Sequence, residues 1–90
     1  MRLFILENCP YCIRARKWIK ELCDENPCYQ NISIEIIDEA KEVELADSYD
    51  YYYVPCFFDG QRKLHEGAIT KQEIQTMFDD YLGGHKSLKY

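Results

Sequence analysis

The sequence contains no apolar run near the roughly 18 residues that a membrane-spanning helix requires, so a transmembrane protein is not expected. It is also short of positive charge, because eleven Lys and Arg residues stand against sixteen Asp and Glu residues, for a formal net charge of −5. This balance argues against nucleic acid or an anionic membrane as the partner. The chain has no internal repeat and no low-complexity linker, and its 90 residues suffice for one domain with a single modest core.

The number of cysteines, five, is odd. Small secreted scaffolds usually carry an even set paired in disulfides, so a reducing compartment explains this number better. The apolar stretch at residues 1–6 leads straight into Cys9, without the small-residue cleavage site of a signal peptide. We therefore expect a cytoplasmic protein whose cysteines are free, catalytic or metal-binding.

Apolar runs and alternation predict four strands, at residues 2–6, 32–37, 54–58 and 62–66. Asp59-Gly60 predicts a hairpin between the last two strands. In the second strand, Ile32, Ile34 and Ile36 alternate with polar residues and form the predicted half-buried face. Ile37 is expected to cover the other face of the same strand.

Helical spacing predicts a first helix from residue 10 to residue 23 and a second helix capped by Asp38. A third helix is predicted to begin with the capping box Thr70-Lys71-Gln72-Glu73. The order β-α-β-α-β-β-α then indicates a parallel pair of strands followed by an antiparallel hairpin. We expect an α/β fold, a three-layer α/β/α sandwich with a mixed four-stranded sheet, over residues 1–82. Residues 83–90 are expected to form a flexible tail.

The motif Cys9-Pro10-Tyr11-Cys12 places two thiols at the end of a predicted strand and the start of a predicted helix. Pro10 is well suited to the first helical position. The unpaired N–H groups at a helix start favour a thiolate, which is the form that attacks disulfides. Cys9 is therefore the predicted nucleophile, and the two-residue spacing lets Cys12 resolve the resulting mixed disulfide.

This motif resembles that of the glutaredoxins, within the thioredoxin superfamily, and two later features match as well. They are Val54-Pro55 before the third strand and Gly67 after the fourth. The resemblance extends from residue 2 to about residue 82, and it implies a thioredoxin-like fold and thiol-disulfide oxidoreductase activity. It also implies that Pro55 is cis beside the cysteine pair, that the Val54 backbone pairs with an extended substrate, and that Tyr11 lines the same groove.

The sequence departs from the glutaredoxin pattern at the positions where that family binds glutathione. Leu6 stands where many glutaredoxins carry a lysine, three residues before the first cysteine. The segment from Glu66 to Thr70 keeps one glycine of the family's Gly-Gly-x-Asp-Asp segment and neither aspartate. Thr70 and the N–H groups of the last helix remain as predicted partners for one carboxylate. The predicted substrate-binding residues are therefore Tyr11, Val54, Pro55, Gly67 and Thr70.

The other cysteines are expected to be structural. Cys23 is predicted to lie in the core and Cys28 in a loop, with an accessory disulfide between them as the alternative. Cys56 follows Pro55 directly and is predicted to be a buried strand residue, with a third thiol beside the active site as the alternative.

These observations predict a small dithiol–disulfide oxidoreductase that reduces protein or low-molecular-weight disulfides, an activity that serves electron transport and cell redox homeostasis. We expect a monomer with no permanently bound cofactor and no metal. Its electrons would come from glutathione as a co-substrate or from a thioredoxin-reductase-type flavoprotein. Two alternatives remain open: a thioredoxin-like reductase independent of glutathione, and a metal or iron–sulfur binding module that uses Cys9 with another thiol such as Cys56.

Overall fold

The computed structural model describes residues 1–83, so the predicted tail lies outside the described residues except for Gly83. The strands of the described chain are β1 (Arg2–Ile5), β2 (Glu35–Asp38), β3 (Cys56–Asp59) and β4 (Arg62–Glu66). The α-helices are α1 (Pro10–Glu25), α2 (Val43–Asp47) and α3 (Lys71–Gly83), and a short 3₁₀ helix that was not predicted spans Pro27–Asn31. Across residues 1–83, no helix combines the length and the apolar character needed to cross a membrane.

The strands form one open, mixed sheet in the order β2-β1-β3-β4. β1 runs parallel to β2, where Leu3 pairs with Ile36, and antiparallel to β3, where Leu3 pairs with Phe57. β3 and β4 form the hairpin around the loop Gly60-Gln61. Gly60 has a φ of +60°, in the left-handed region that favours glycine. The protein is therefore an α/β protein with a mixed four-stranded sheet, and the predicted parallel pair and hairpin are confirmed.

Apolar side chains pack on both faces of the sheet. The cluster beneath α1 and α3, called here the α1/α3 cluster, comprises Leu3, Ile5, Cys12, Ala15, Leu22, Tyr29, Ile32, Phe57, Ile69, Ile74 and Phe78. The cluster on the opposite face, called here the α2 cluster, comprises Phe4, Ile37, Ala46, Cys56 and Phe58. Because successive side chains of a strand point to opposite faces, β3 directs Cys56 and Phe57 to different sides of the sheet.

The second strand differs from the prediction. It begins only at Glu35, so Ile32 and Ile34 precede it, although both pack in or against the α1/α3 cluster. Ile37 is fully buried, whereas Ile36, which was expected on the buried face, is 44% exposed. The reason is that β2 is an edge strand, paired only with β1, so the side chain of Ile36 lies at the margin of the sheet and remains partly exposed.

The prediction that Asp38 caps the second helix was wrong. Its carboxylate accepts a hydrogen bond from the Ala40 N–H at 2.9 Å, and its carbonyl accepts two from Lys41 and Glu42 at 3.0 Å. These bonds close a turn directly after β2, so α2 begins only at Val43 and has five residues. An aspartate at the start of a turn and an aspartate at the start of a helix accept the same kind of local backbone hydrogen bond, so the sequence alone does not distinguish the two structures.

α3 begins with the predicted capping box, which is confirmed. The Thr70 N–H donates to Glu73 Oε1 at 3.0 Å, and the Glu73 N–H donates to Thr70 Oγ1 at 3.1 Å. In the next position, Lys71 Nζ lies 3.1 Å from Glu21 Oε1 and 2.7 Å from Glu25 Oε2. These ion pairs hold the start of α3 beside the C-terminal half of α1.

Candidate active site

Cys9 lies between the end of β1 and the first turn of α1. Its N–H donates to the Leu6 carbonyl at 3.1 Å, and its own carbonyl accepts from the Ile13 N–H at 3.0 Å. Pro10 then occupies the first helical position. The thiol of Cys9 is half-buried and stands at the helix N-terminus, where unpaired N–H groups converge.

The surroundings of Cys9 favour its thiolate. Partial burial opposes the charge, but the backbone N–H of Cys12, the Cys12 thiol and the backbone N–H of Tyr11 outweigh it, and the pKa of Cys9 is lowered. The negative charge of Glu39 acts in the opposite direction. A half-exposed thiol with a lowered pKa has the properties of an attacking nucleophile.

Cys12 has the opposite environment. Its side chain is buried in the α1/α3 cluster, with 1% of its surface exposed. Burial raises the pKa of Cys12, and its hydrogen bond to Cys9 adds to the effect because it holds the proton on Cys12. Both cysteines are free thiols in this structure.

The segment Val54-Pro55 lies against this pair. The Cys9 thiol points at the Val54 carbonyl, with 3.9 Å from Sγ to oxygen. The peptide bond between Val54 and Pro55 is cis, as the resemblance implies. The Gly67 N–H donates to the Pro55 carbonyl at 2.8 Å, and Gly67 has a φ of +88°, which favours glycine at this position. The structure thus brings three of the predicted substrate-binding residues together beside Cys9.

Tyr11 and the two tyrosines before Val54 are exposed aromatic residues that lie close in the chain to Cys9 and Pro55. Tyr11 is 52% exposed, and Tyr52 and Tyr53 are 86% and 69% exposed. The Arg14 guanidinium lies over the Tyr11 ring, 5.6 Å from its centroid. Large exposed aromatic side chains next to a reactive thiol offer an apolar contact surface for a substrate.

The backbone before Val54 is held by a carboxylate that sequence reasoning missed. Glu66 Oε2 accepts hydrogen bonds from the N–H groups of Tyr52 and Tyr53, and Glu66 Oε1 lies 2.7 Å from Lys63 Nζ. The Lys63 ammonium, followed by the two N–H groups, lowers the pKa of Glu66 to about 2. The residues in contact are 13 and 14 positions apart, and no local pattern in the sequence signals such a bond.

Replacing Glu66 with glutamine is expected to destabilise the protein at neutral pH and to have little effect at pH 2. Because the pKa of Glu66 falls from an ordinary value near 4.5 to about 2 on folding, its stabilising contribution is complete above 4.5 and is lost as the pH falls to 2. Urea denaturation at pH 6 and pH 2 checks this. Glu42→Gln, which alters an exposed side chain without a cap hydrogen bond, is the control. A penalty for Glu66→Gln that is equal at both pH values would contradict the prediction.

Thr70 does not join the cysteine pair in the structure. In the capping box the Thr70 N–H donates to the Glu73 carboxylate and the Thr70 hydroxyl oxygen accepts from the Glu73 N–H, so Glu73 takes the N–H predicted for a glutathione carboxylate. The ion pairs of Lys71 with Glu21 and Glu25 place this helix start beside the other half of α1. The expectation that Thr70 binds substrate is therefore not supported by the geometry.

The other cysteines lie apart from Cys9 and Cys12. Cys23 is half-buried in the last part of α1, where burial raises its pKa, and Cys28 is exposed in the 3₁₀ helix. Cys56 is fully buried in the α2 cluster, where burial raises its pKa to about 12. Its side chain faces the side of the sheet opposite Cys12, as expected for a structural residue.

Glu39 and Tyr51 are site residues that the sequence analysis did not identify. The Glu39 N–H donates to the Ile5 carbonyl at 3.0 Å, which extends the pairing of the parallel strands β1 and β2. The Tyr51 hydroxyl donates to Glu39 Oε1 at 2.8 Å. The position of Glu39 near Cys9 could have been predicted from the sequence. The carboxyl ends of two parallel strands meet at one edge of a sheet, and Cys9 follows β1 while Glu39 follows β2.

Comparisons with models of known families, with curated proteins and with solved structures find no match for this chain. Within residues 1–83, no group of three or more His, Cys, Asp or Glu side chains is placed to hold a metal ion. A cavity of about 590 Å³ lies between β4 and α3, but its lining contains no cysteine. The cysteine pair, with its contrast in burial and pKa, is therefore the candidate active site.

Proposed function

We propose that this protein is a small dithiol–disulfide oxidoreductase, a glutaredoxin-like member of the thioredoxin superfamily. The observation that carries the proposal is the opposite setting of the two thiols. The pKa of Cys9 is lowered at a half-exposed helix start, and the pKa of Cys12 is raised in the core. This contrast assigns attack to Cys9 and resolution to Cys12. The mixed sheet, the cis Pro55 and its contact with Gly67 support the assignment to the superfamily.

In the proposed reaction the Cys9 thiolate attacks one sulfur of a substrate disulfide. The disulfide bond breaks, a mixed disulfide forms on Cys9, and the leaving thiolate takes up a proton. Cys12 then gives up its proton and attacks Cys9 Sγ, which releases the second substrate sulfur as a thiol. The substrate gains two electrons and ends as two thiols, and the protein ends with a disulfide between Cys9 and Cys12. An external thiol or flavoprotein donor reduces that disulfide again.

The backbone beside Cys9 suits an extended substrate segment. The Val54 carbonyl lies next to the Cys9 thiol. Hydrogen bonds fix the backbone on both sides of Val54, because the Glu66 carboxylate accepts from the preceding N–H groups and the Gly67 N–H donates to the Pro55 carbonyl. A rigid backbone of this kind can pair with a substrate strand as an edge strand does. Tyr11, two residues after Cys9, is exposed and would add apolar contact area for a substrate.

A reductase independent of glutathione is the second candidate, and the occupied helix start of α3 favours it. Glutathione carries two carboxylates, and glutaredoxins hold them with basic side chains and free N–H groups. Here Leu6 provides no charge, and Glu73 already accepts the Thr70 N–H. Electrons would then come from a thioredoxin-reductase-type flavoprotein rather than from glutathione.

Mixing the reduced protein with bis(2-hydroxyethyl) disulfide tests the proposal without any electron donor. We expect one new disulfide, between Cys9 and Cys12, located by alkylation of the remaining thiols and peptide mapping. Adding glutathione with glutathione reductase, or NADPH with a thioredoxin reductase, then separates the two donors. A protein whose cysteines stay reduced, or whose disulfide joins Cys23 and Cys28, would overturn the proposed function.

A further inference from the structure

A second concave site lies on the α2 face of the sheet. It is a cavity of about 380 Å³ whose lining includes two carboxylates, Glu39 and Asp47, and three tyrosines, Tyr49, Tyr51 and Tyr52. None of the basic side chains within residues 1–83 lines it. The nearby ammonium of Lys41 is paired with Glu7 at 3.2 Å rather than with the cavity. The cavity thus has two carboxylates and one largely exposed aromatic ring, that of Tyr52, whereas the rings of Tyr49 and Tyr51 pack against Phe4 and Phe58.

These groups are suited to a flat cation. Aromatic ring faces attract a guanidinium or ammonium group within about 6 Å of the ring centroid. The Tyr51 hydroxyl engages only Oε1 of Glu39, which leaves the second oxygen of that carboxylate to accept from a ligand. The Asp47 carboxylate makes no hydrogen bond or ion pair with residues 1–83, and the ring of Tyr52 is largely exposed.

The chain itself contains an example of this recognition. The guanidinium of Arg2 lies 5.8 Å from the centroid of the Tyr49 ring and donates to the Tyr49 hydroxyl at 2.9 Å. The same guanidinium pairs with the Glu35 carboxylate at 2.9 Å. An arginine held jointly by a tyrosine and a carboxylate is therefore a stable arrangement on this face of the sheet.

The cavity is within reach of a substrate bound at Cys9. Tyr52 lines the cavity and precedes Val54 by two residues, and the Val54 carbonyl lies 3.9 Å from Cys9 Sγ. Two residues of extended chain span about 7 Å. Glu39 also lies close enough for its charge to oppose the thiolate of Cys9. A side chain one or two residues from the substrate cysteine can therefore enter the cavity.

We propose that this cavity is a binding subsite for an arginine side chain next to the substrate disulfide, so that the preferred substrates are disulfides in basic peptide segments. This inference rests on the proposed disulfide reductase activity. It adds a substrate class, because the net charge of −5 and the acidic cavity disfavour acidic segments. Arginine fits better than lysine, since its planar group stacks on a ring and pairs with a carboxylate at the same time.

The test compares peptides that differ only in charge. Each peptide carries one cysteine in a mixed disulfide with 2-mercaptoethanol. Two residues from that cysteine stands either arginine or its neutral isostere citrulline. One set of peptides has this residue before the cysteine, and a second set has it after the cysteine. Reduced protein in single turnover, followed by quenching and quantification of the free peptide thiol, needs no electron donor. We expect the arginine peptide of one set to react at least about fivefold faster than its citrulline partner.

Two variants locate the effect. In the double variant Glu39→Gln and Asp47→Asn, the ratio of the arginine-peptide rate to the citrulline-peptide rate is expected to fall close to one. Glu44→Gln, which changes an exposed residue of helix α2, is the control and is expected to keep the wild-type ratio. The ratio cancels any change in Cys9 reactivity that is common to both peptides. A wild-type ratio near one in both sets, or a preference that persists in the double variant, would overturn the subsite while leaving the reductase intact.

A protein that reduces neither peptide would instead contradict the proposed reductase activity. The cavity is then tested alone with peptides in which serine replaces the cysteine, by recording amide chemical shifts of the protein. Shifts at Asp47, Tyr51 and Tyr52 with the arginine peptide, and none with the citrulline peptide, would support an arginine site. No shift with either peptide would overturn it.

Discussion

Replacing Cys9 with serine is expected to abolish disulfide reduction, with a loss of about three orders of magnitude or more in turnover. A serine hydroxyl is not ionised at neutral pH and forms no disulfide, so neither the attack nor the mixed disulfide takes place. The matched variant Cys12→Ser keeps the nucleophile and loses only resolution. It is expected to accumulate a mixed disulfide with the substrate, which mass spectrometry of the intact protein detects.

The two variants together test the order of the steps. Burial raises the pKa of Cys12 and keeps its thiol protonated and covered, so it cannot replace Cys9 as the attacking group. If Cys12→Ser proved inactive towards the substrate while Cys9→Ser formed the covalent adduct, the assignment of roles would be reversed. If both variants matched the wild type, the chemistry would lie elsewhere.

Replacing Phe57 with alanine is expected to lower the free energy of unfolding by about 3–5 kcal/mol. Phe57 is fully buried on the central strand β3 and belongs to the α1/α3 cluster, so the change removes apolar contacts and leaves a cavity. That loss is a large part of the total stability of a small domain, about 5–15 kcal/mol. Urea denaturation of the reduced protein measures it.

Tyr52→Ala is the control for this prediction, because it also removes an aromatic ring but at a position that is 86% exposed. Its effect on the free energy of unfolding is expected to stay within about 0.5 kcal/mol. Equal losses for the two variants would mean that the α1/α3 cluster is not the main stabilising core. A loss below about 1 kcal/mol for Phe57→Ala would mean that the site collapses around the smaller residue.

The sequence predicted those parts of the fold that depend on neighbours along the chain. Helix α1 follows from Pro10 at its start and from apolar residues at helical spacing, and the start of α3 follows from its capping box. The hairpin follows from the turn that contains Gly60. In each of these cases the decisive contacts join residues a few positions apart.

The parts that were not predicted depend on contacts between distant segments. The exposure of Ile36 follows from the place of β2 at the edge of the sheet, and no property of the strand itself reveals that place. The same holds for the candidate site. Cys9 and Cys12 are visible as a motif, whereas Glu66 and Glu39 act on the site through pairings that only the folded chain creates.

The alternation of side chains along β3 has a chemical consequence. A slip of one residue in the pairing of β3 would exchange Cys56 and Phe57 between the two faces and bring the Cys56 sulfur to the side that holds Cys9, Cys12 and Cys23. A further thiol on that side would give Cys9 and Cys12 another possible disulfide partner. Correct strand register in this protein therefore keeps the Cys56 thiol on the face opposite Cys12 and limits the disulfides that the chain can form.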